Sequence, residues 1–380
     1  MQRALVGSLR YLASRRKNEK FEPSSIQSVL SVELSRLGDV VVTLPTLLRL
    51  QSIFPSAEFL VLVDKRYVSL LNSFDVDWKV IGMETGEFVR DLLPGVNQIR
   101  KKSVDLAISL SPPRKNALIT LGSNARFLLG YLAYVDSLTP FLLENRIESF
   151  GFELPHEASY GLENIYGRPA RICEALGMIG SNDLTFPGLK QSFYETASEQ
   201  MKQKGVLPDN PYIVLHPFSS WQYRNWNLGR YIELASRVIN EIGWSVVVSC
   251  KERDSRILKE ASLHDRRIKV VATSDPGELA VLVKGASLIV GNDSGPLHLA
   301  TALGVNAVGL FGPAPPEITS PPVGAHRYLY KKFECSPCDQ RRCIRPEHSC
   351  MMDIEIDDVL SAIVDALCVT PVEERVRNDG

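Results

Sequence analysis

The 380-residue sequence has almost no net charge, because 43 Lys and Arg residues are balanced by 44 Asp and Glu residues. That balance excludes the basic whole-protein field on which nucleic-acid binding would rest. No stretch approaches the roughly 18 consecutive apolar residues of a membrane-spanning helix. With 44% hydrophobic and 23% charged residues, the composition excludes a mainly disordered or fibrous chain. The length predicts two domains.

The first twenty residues carry an uneven charge, since six basic residues stand against a single acid, Glu19, with apolar residues interleaved. The positive charges follow the apolar stretch and no small-residue cleavage site appears, so a secretory signal is not predicted. The expected compartment is the cytoplasm. Two interpretations of the segment stay open: a solvated tail, or a basic amphipathic helix in peripheral contact with the inner face of the cytoplasmic membrane.

Cysteine is scarce, and four of the seven cysteines cluster as Cys335, Cys338, Cys343 and Cys350. Stable disulfides are not expected in the cytoplasm. The spacing is compatible with a tetrahedral structural zinc site, for which His348 is a spare ligand. It is also compatible with reduced thiols that pack a loop, which is the interpretation we favour.

Short apolar runs alternate with amphipathic stretches, a pattern typical of βαβ units and a mostly parallel sheet. The predicted fold class is α/β, with two Rossmann-like, doubly wound domains facing a central cleft. Strands are predicted at residues 26–32, 57–63, 78–81, 104–109, 212–216, 244–249, 268–271, 287–290 and 307–311. Gly and Pro mark a linker. The predicted parts are a basic tail at 1–24, a domain at 25–190, the linker at 191–210, a domain at 211–350, and a C-terminal helix and tail at 351–380.

Three polar segments follow predicted strands, at the strand ends where open α/β sheets bind ligands. The segment 291–298 joins a strand to a helix, and its glycines permit close backbone approach. Asp293 or Ser294 is a candidate cap for that helix, whose N-terminus is suited to phosphate. The alternative is an ordinary capped turn with a core-facing His298.

The other two segments are residues 216–226 and 35–39. In the first, Ser219, Ser220 and Arg224 suit an anion. In the second, Asp39 is either a general base or simply the cap of the following helix. Because the three segments end corresponding strands of two α/β units, we expect them to meet across one cleft.

Together these segments resemble glycosyltransferase family 9, the ADP-heptose:lipopolysaccharide heptosyltransferases, over roughly residues 29–363. The resemblance implies the GT-B fold, with acceptor bound by the N-terminal domain and nucleotide-sugar by the C-terminal domain. The markers are residues 34–45, 216–226, 291–298 and 311–313, and the pair Cys335 and Cys338 with Cys350.

The activity implied is inverting transfer of heptose from ADP-heptose to a lipid-linked, anionic lipopolysaccharide core acceptor. The resemblance implies no catalytic metal and no required cofactor. One alternative is a GT-B transferase that uses another nucleotide-sugar or a non-lipopolysaccharide acceptor. Another is a nucleotide-sugar-binding protein without transferase activity, against which the intact Asp39 and Arg224 count.

The resemblance also assigns roles to residues. Asp39 matches the catalytic base, and Arg224, where the family often has Lys, would neutralise charge on the departing ADP. The positions that match donor-binding residues are Ser35, Ser219, Ser220, Asp254, Asp293, Ser294, Gly295 and His298. For an anionic acceptor, the candidate contacts are Arg114, Lys115 and Arg126, each of which is as well explained as solvated surface charge.

Overall fold

The computed structural model describes residues 21–86, 88–132, 146–149, 164–178, 184–206, 210–338, 342–345, 347 and 349–368. Outside them lie residues 1–20 of the tail predicted at 1–24, the spare ligand His348 and residues 369–380. The chain divides at Pro187 into two compact units, and Asn164 and Ile165 belong with the second. The predicted linker at 191–210 contains a helix, Gln191–Gln203, that packs within the second unit.

The first unit contains a parallel sheet with the strand order β3-β2-β1-β4-β5-β6. Its strands are β1 Ser28–Glu33, β2 Glu58–Asp64, β3 Trp78–Met83, β4 Leu106–Ser109, β5 Phe127–Gly130 and β6 Arg146–Ser149. Its helices are α1 Leu37–Ile53, α2 Val68–Ser73, α3 Phe88–Arg100, α4 Arg114–Gly122 and α5 Gly167–Ala175.

The second unit repeats this topology in the order β12-β11-β10-β7-β8-β9. Its strands are β7 Tyr212–His216, β8 Ser245–Lys251, β9 Lys269–Thr273, β10 Leu288–Asn292, β11 Ala307–Phe311 and β12 Arg327–Tyr330. Its helices are α6 Gln191–Gln203, α7 Leu228–Arg237, α8 Ser255–Ala261, α9 Pro276–Lys284, α10 Gly295–Ala302, α11 Pro316–Thr319 and α12 Ile356–Leu367.

Two doubly wound α/β domains are therefore confirmed, and all nine predicted strands are present. The central strands β1, β7 and β10 are buried along their whole length. Helices that cover both faces of a parallel sheet produce such continuous apolar strands. None of the described helices is long and apolar enough to cross a membrane.

Each sheet changes winding direction beside its first strand, so β1 pairs with both β2 and β4, and β7 pairs with both β8 and β10. At such a point the connections diverge to opposite faces and leave a crevice at the carboxyl ends of the strands. All three polar segments singled out in the sequence follow β1, β7 or β10. The topology thus places each of them at the crevice of its own unit.

The C-terminal helix α12 packs on α7 and on strands β10, β11 and β12. Its Ile363 is fully buried in the core of the second unit, whereas the neighbouring Val364 is 43% exposed. The helix is therefore part of the hydrophobic core of this unit.

Replacing Ile363 with alanine should lower the free energy of unfolding by roughly 3 kcal/mol, because it removes apolar contacts and leaves a cavity. The matched control Val364→Ala should change it by less than about 0.5 kcal/mol. Urea unfolding followed by circular dichroism measures both. Equal effects of the two substitutions would contradict this packing.

Candidate functional site

In the first unit, polar side chains gather where β1 and β4 end. Asn116, buried in the first turn of α4, accepts a hydrogen bond from the Leu34 N–H at 3.0 Å and donates one to Ser111 Oγ at 2.9 Å. The Ser35 and Ser111 hydroxyl oxygens lie 3.4 Å apart. These contacts fasten the segment after β1 to the segment after β4, so Ser35 is held at the crevice.

Asp39 lies exposed in the first turn of α1. Its Oδ2 accepts a hydrogen bond from the Arg36 N–H at 3.1 Å, so the carboxylate does cap the helix. Capping does not compete with a role as base, because an exposed carboxylate has further lone pairs with which to accept a proton.

The last residue of β1, Glu33, is a site residue that the sequence interpretation missed. Its side chain is buried, and Oε1 accepts a hydrogen bond from the Ser35 N–H at 2.9 Å. Burial and the negative charge of Asp39 raise the pKa of Glu33 to about 7, against the opposing effect of hydrogen bonds from Ser111 and Ser35. The signal in the sequence is an acid at the end of an otherwise apolar strand.

Among the candidate acceptor contacts, Lys115 lies close enough to these carboxylates for their charges to interact. It is half-buried, and burial lowers its pKa although Asp64, Glu33 and Asp39 all act in the opposite direction. Its neighbour Arg114 is exposed at the start of α4.

Arg126 occupies a different place. It precedes β5 and pairs with Asp105, which precedes β4, at 3.0 Å. Both residues therefore stand at the amino end of the sheet, opposite the end that carries Asp39. The structure does not bring Arg126 together with Lys115.

In the second unit, the buried side chain of Asn292 joins the two polar segments. Its Oδ1 accepts hydrogen bonds from the Trp226 N–H at 3.0 Å and the Tyr231 hydroxyl at 3.2 Å, and its Nδ2 donates to the Pro217 carbonyl at 2.7 Å. The segment after β7 is thereby fixed against the end of β10. Asn292 is a second residue to which the sequence interpretation gave no role.

Arg224 and Asp293 form an ion pair between the segments that follow β7 and β10. Arg224 Nη1 lies 3.0 Å from Asp293 Oδ2 and donates to the Asp293 carbonyl at 3.1 Å. Asp293 is buried, and burial raises the pKa of its carboxyl more than the Arg224 charge lowers it. Nη1 of the guanidinium is thus held by Asp293. The planar guanidinium fork suits the binding of an anion such as phosphate.

Two of the three serines in these segments, Ser219 and Ser294, donate hydrogen bonds to backbone carbonyls of their own segments. Ser219 Oγ donates to the Trp221 carbonyl at 2.6 Å, so this hydroxyl shapes its own loop, whereas Ser220 is exposed. Ser294 Oγ donates to the Asn292 carbonyl at 3.0 Å and does not cap the N-terminus of α10, which begins at Gly295. That N-terminus therefore has no cap from the Ser294 side chain, although the Leu297 N–H donates to the Ser294 carbonyl at 3.0 Å. The dipole at a helix N-terminus favours an anion.

His298 lies buried in the first turn of α10. Burial, reinforced by the charge of Arg224, lowers the pKa of its imidazole to about 3, so it is neutral at physiological pH. Asp254 stands in the turn after β8, at the same edge of the sheet, and pairs with Arg253 at 3.4 Å. No described contact joins Asp254 to the Arg224–Asp293 pair.

The four clustered cysteines are reduced and partly buried. Burial and the neighbouring Cys338, Cys343 and Cys335 raise the pKa of Cys350 to about 11. Within the described part of the chain, no three His, Cys, Asp or Glu side chains are arranged as a metal site. The described thiols do not form a ligand set, and structural zinc stays a prediction.

Comparison with known proteins agrees with the sequence motifs. The model of glycosyltransferase family 9 (heptosyltransferase) matches residues 171–348. Lipopolysaccharide heptosyltransferase 1 of Pseudomonas aeruginosa is 24% identical over 83% of this chain and 87% of its own length. Lipopolysaccharide core heptosyltransferase OpsX of Haemophilus influenzae is 22% identical over 78% of this chain and 82% of its own length. The structure of E. coli ADP-heptose lps heptosyltransferase II superimposes with a TM-score of 0.70, at 22% identity, over 92% of this chain and 100% of that one. The predicted GT-B type of fold is confirmed.

Replacing His298 with glutamine should reduce the acid sensitivity of the protein. A histidine with a pKa of about 3 in the folded state stabilises the native protein above pH 6.5, and this contribution is lost as the unfolded chain takes up a proton at lower pH. At pH 5 the loss amounts to about 2 kcal/mol.

Urea unfolding at pH 7.5 and pH 5 tests this. Between pH 7.5 and pH 5, we expect the free energy of unfolding to fall by about 2 kcal/mol less in His298→Gln than in the wild type. The exposed His264, replaced by glutamine, is the control and should behave as wild type. An unchanged pH dependence in His298→Gln would contradict burial of a neutral imidazole.

Proposed function

We propose that the chain is a glycosyltransferase of family 9 that transfers a heptose from ADP-heptose to a lipopolysaccharide core acceptor, with inversion at the anomeric carbon and without a catalytic metal ion. The relatives that span most of the chain are lipopolysaccharide heptosyltransferases. The geometry of the second unit supplies the observation that carries the proposal.

That observation is the juxtaposition of Arg224, Asp293 and the N-terminus of α10, which has no side-chain cap. A diphosphate needs positive charge and N–H donors, which the guanidinium and the helix N-terminus supply. As the sugar leaves ADP, negative charge grows on the β-phosphate, and Arg224 neutralises it in the role that a metal ion fills elsewhere. Asp293 orients Arg224, and its remaining oxygen can accept a hydrogen bond from a sugar hydroxyl.

In the first unit, Asp39 acts as the general base. Its carboxylate takes the proton of the acceptor hydroxyl, whose oxygen forms a bond to the anomeric carbon on the face opposite the ADP. The bond from that carbon to the phosphate oxygen breaks, and ADP leaves with the electron pair. Attack on the opposite face inverts the anomeric centre.

We assign acceptor binding to the first unit, with Arg114 and Lys115 as the cations that meet an anionic saccharide. Of these, Lys115 has the stronger support, because it lies close enough to Asp39 for their charges to interact. The proposed acceptor is lipid-linked, and we propose that the reaction takes place in the cytoplasm, at the inner face of the membrane.

The nucleotide that the protein prefers distinguishes this function from that of a transferase with another nucleotide-sugar donor. ADP should stabilise the protein by about 2.7 kcal/mol at a hundredfold excess over its Kd, because it binds only the native state. Thermal shift with ADP, UDP, GDP and CMP measures the selectivity, and we expect the largest rise in Tm with ADP. A larger rise with UDP would instead favour a UDP-sugar transferase.

Replacing Asp39 with asparagine should abolish the base while preserving shape. We expect kcat for heptose transfer to fall by about 100-fold or more, with the ADP-induced rise in Tm unchanged. The control is Asp77→Asn, an exposed acid just before β3 at the other end of the same sheet. Near-normal kcat in Asp39→Asn would remove Asp39 from the mechanism.

A further inference from the structure

Glu33 is a buried acid at the end of β1, and one of its carboxyl oxygens lacks a hydrogen-bond partner. Its side chain is 1% exposed at the end of β1, and its Oε2 has no hydrogen-bond partner. Burying an unpartnered carboxyl oxygen destabilises a native protein. Buried ionisable groups that lower the stability of the native protein are concentrated at functional sites.

The other oxygen of Glu33 supports the turn that carries Asp39. Oε1 accepts from the Ser35 N–H at 2.9 Å and lies 3.5 Å from Asn116 Nδ2. Asn116 in turn holds the Leu34 N–H at 3.0 Å. Two successive backbone N–H groups between β1 and α1 are therefore fixed by one buried pair of side chains.

Charges from two helices face this carboxyl group. Asp39 of α1 and burial both raise the pKa of Glu33, and Lys115 of α4 interacts with both acids. Beyond Lys115 lie Asp64 and Arg66 at the end of β2, which form their own ion pair. Since a Coulomb interaction is mutual, an ionised Glu33 makes proton uptake by Asp39 more favourable.

We propose that Glu33 is a positioning residue for the Asp39 base: it holds the backbone of the 35–39 turn, and its buried charge increases the proton affinity of Asp39. This inference rests on the proposed function, because it assumes that Asp39 is the base. Glu33 touches no substrate in this scheme. The ionised form of Glu33 increases the rate of heptose transfer. That rate therefore changes with pH as Glu33 loses its proton.

The test compares pH profiles of kcat/KM for heptose transfer in wild type and Glu33→Gln. Glutamine keeps an acceptor for the Ser35 N–H and removes the charge. We expect wild-type kcat/KM to rise about fivefold between pH 6 and pH 8 with a midpoint near pH 7, as Glu33 ionises. We expect no such rise in Glu33→Gln, with the two proteins within about twofold of each other at pH 6.

Two further variants make the result decisive. Glu33→Asp keeps a charge in place and should retain the rise, and it replaces Glu33→Gln as the test if that variant does not fold. Glu58→Gln changes an acid at the opposite end of the sheet, beside Ser28, and should match wild type. A rise of equal size in Glu33→Gln, or its loss in Glu33→Asp, would overturn the proposal.

Thermal unfolding supplies a readout that separates charge from packing. A carboxyl whose pKa is raised on folding stabilises the native state below about pH 4.5, and that contribution is lost as pH rises towards 7. We therefore expect the Tm of Glu33→Gln, relative to wild type, to rise from pH 5 to pH 8. A constant difference in Tm would show a packing role only and would overturn the proposal.

The two hypotheses can fail separately. If Asp39→Asn remains active, the base assignment falls and this inference falls with it. If Asp39→Asn is inactive while Glu33→Gln keeps the wild-type profile, the proposed function stands and only the role of Glu33 is refuted.

Discussion

Parallel strands cannot be joined by tight turns, and this constraint organises the whole protein. Every connection has to return along a face of the sheet, which here is done mainly by helices. Where the winding reverses, beside β1 in one unit and β7 in the other, the connections diverge and leave a crevice at the carboxyl ends of the strands. Every residue that we place in the chemistry lies in a segment that follows one of those strands or their neighbours.

The carboxyl ends of these strands are also where the protein buries charged side chains. Asp293 is buried and paired with Arg224, and Glu33 is buried next to the turn that carries Asp39. Removing carboxyl groups from water costs stability that hydrophobic residues would not cost. The reason to keep them is electrostatic: a preorganised charge acts on a developing charge without first having to reorient. Two buried amides, Asn116 and Asn292, supply the rigidity that this requires by fixing the loops around the charges.

Much of the fold could be predicted because its signals are local. Central strands such as β1 and β10 are apolar runs bounded by turn residues, and α9 begins where Asp275 and Pro276 predict a helix start. Strands β5, β6 and β12 were not predicted. Each has four residues, too few to show a period, and they pair only because the preceding strand offers an edge. The site was predicted unevenly for the same reason. Arg126 was grouped with Lys115 on charge alone, although its partner Asp105 lies at the other end of the sheet.

The sequence by itself determined the alternation of strands and helices, the three polar segments and the family they resemble, because periodicity and turn chemistry act over a few residues. Tertiary structure alone decided which of these residues meet. Glu33 and Asn116 are 83 positions apart, and Arg224 and Asp293 are 69 positions apart. Their contacts, and the altered pKa values of Glu33 and Asp293, arise from burial and from neighbours that only the packed sheets bring within a few ångströms.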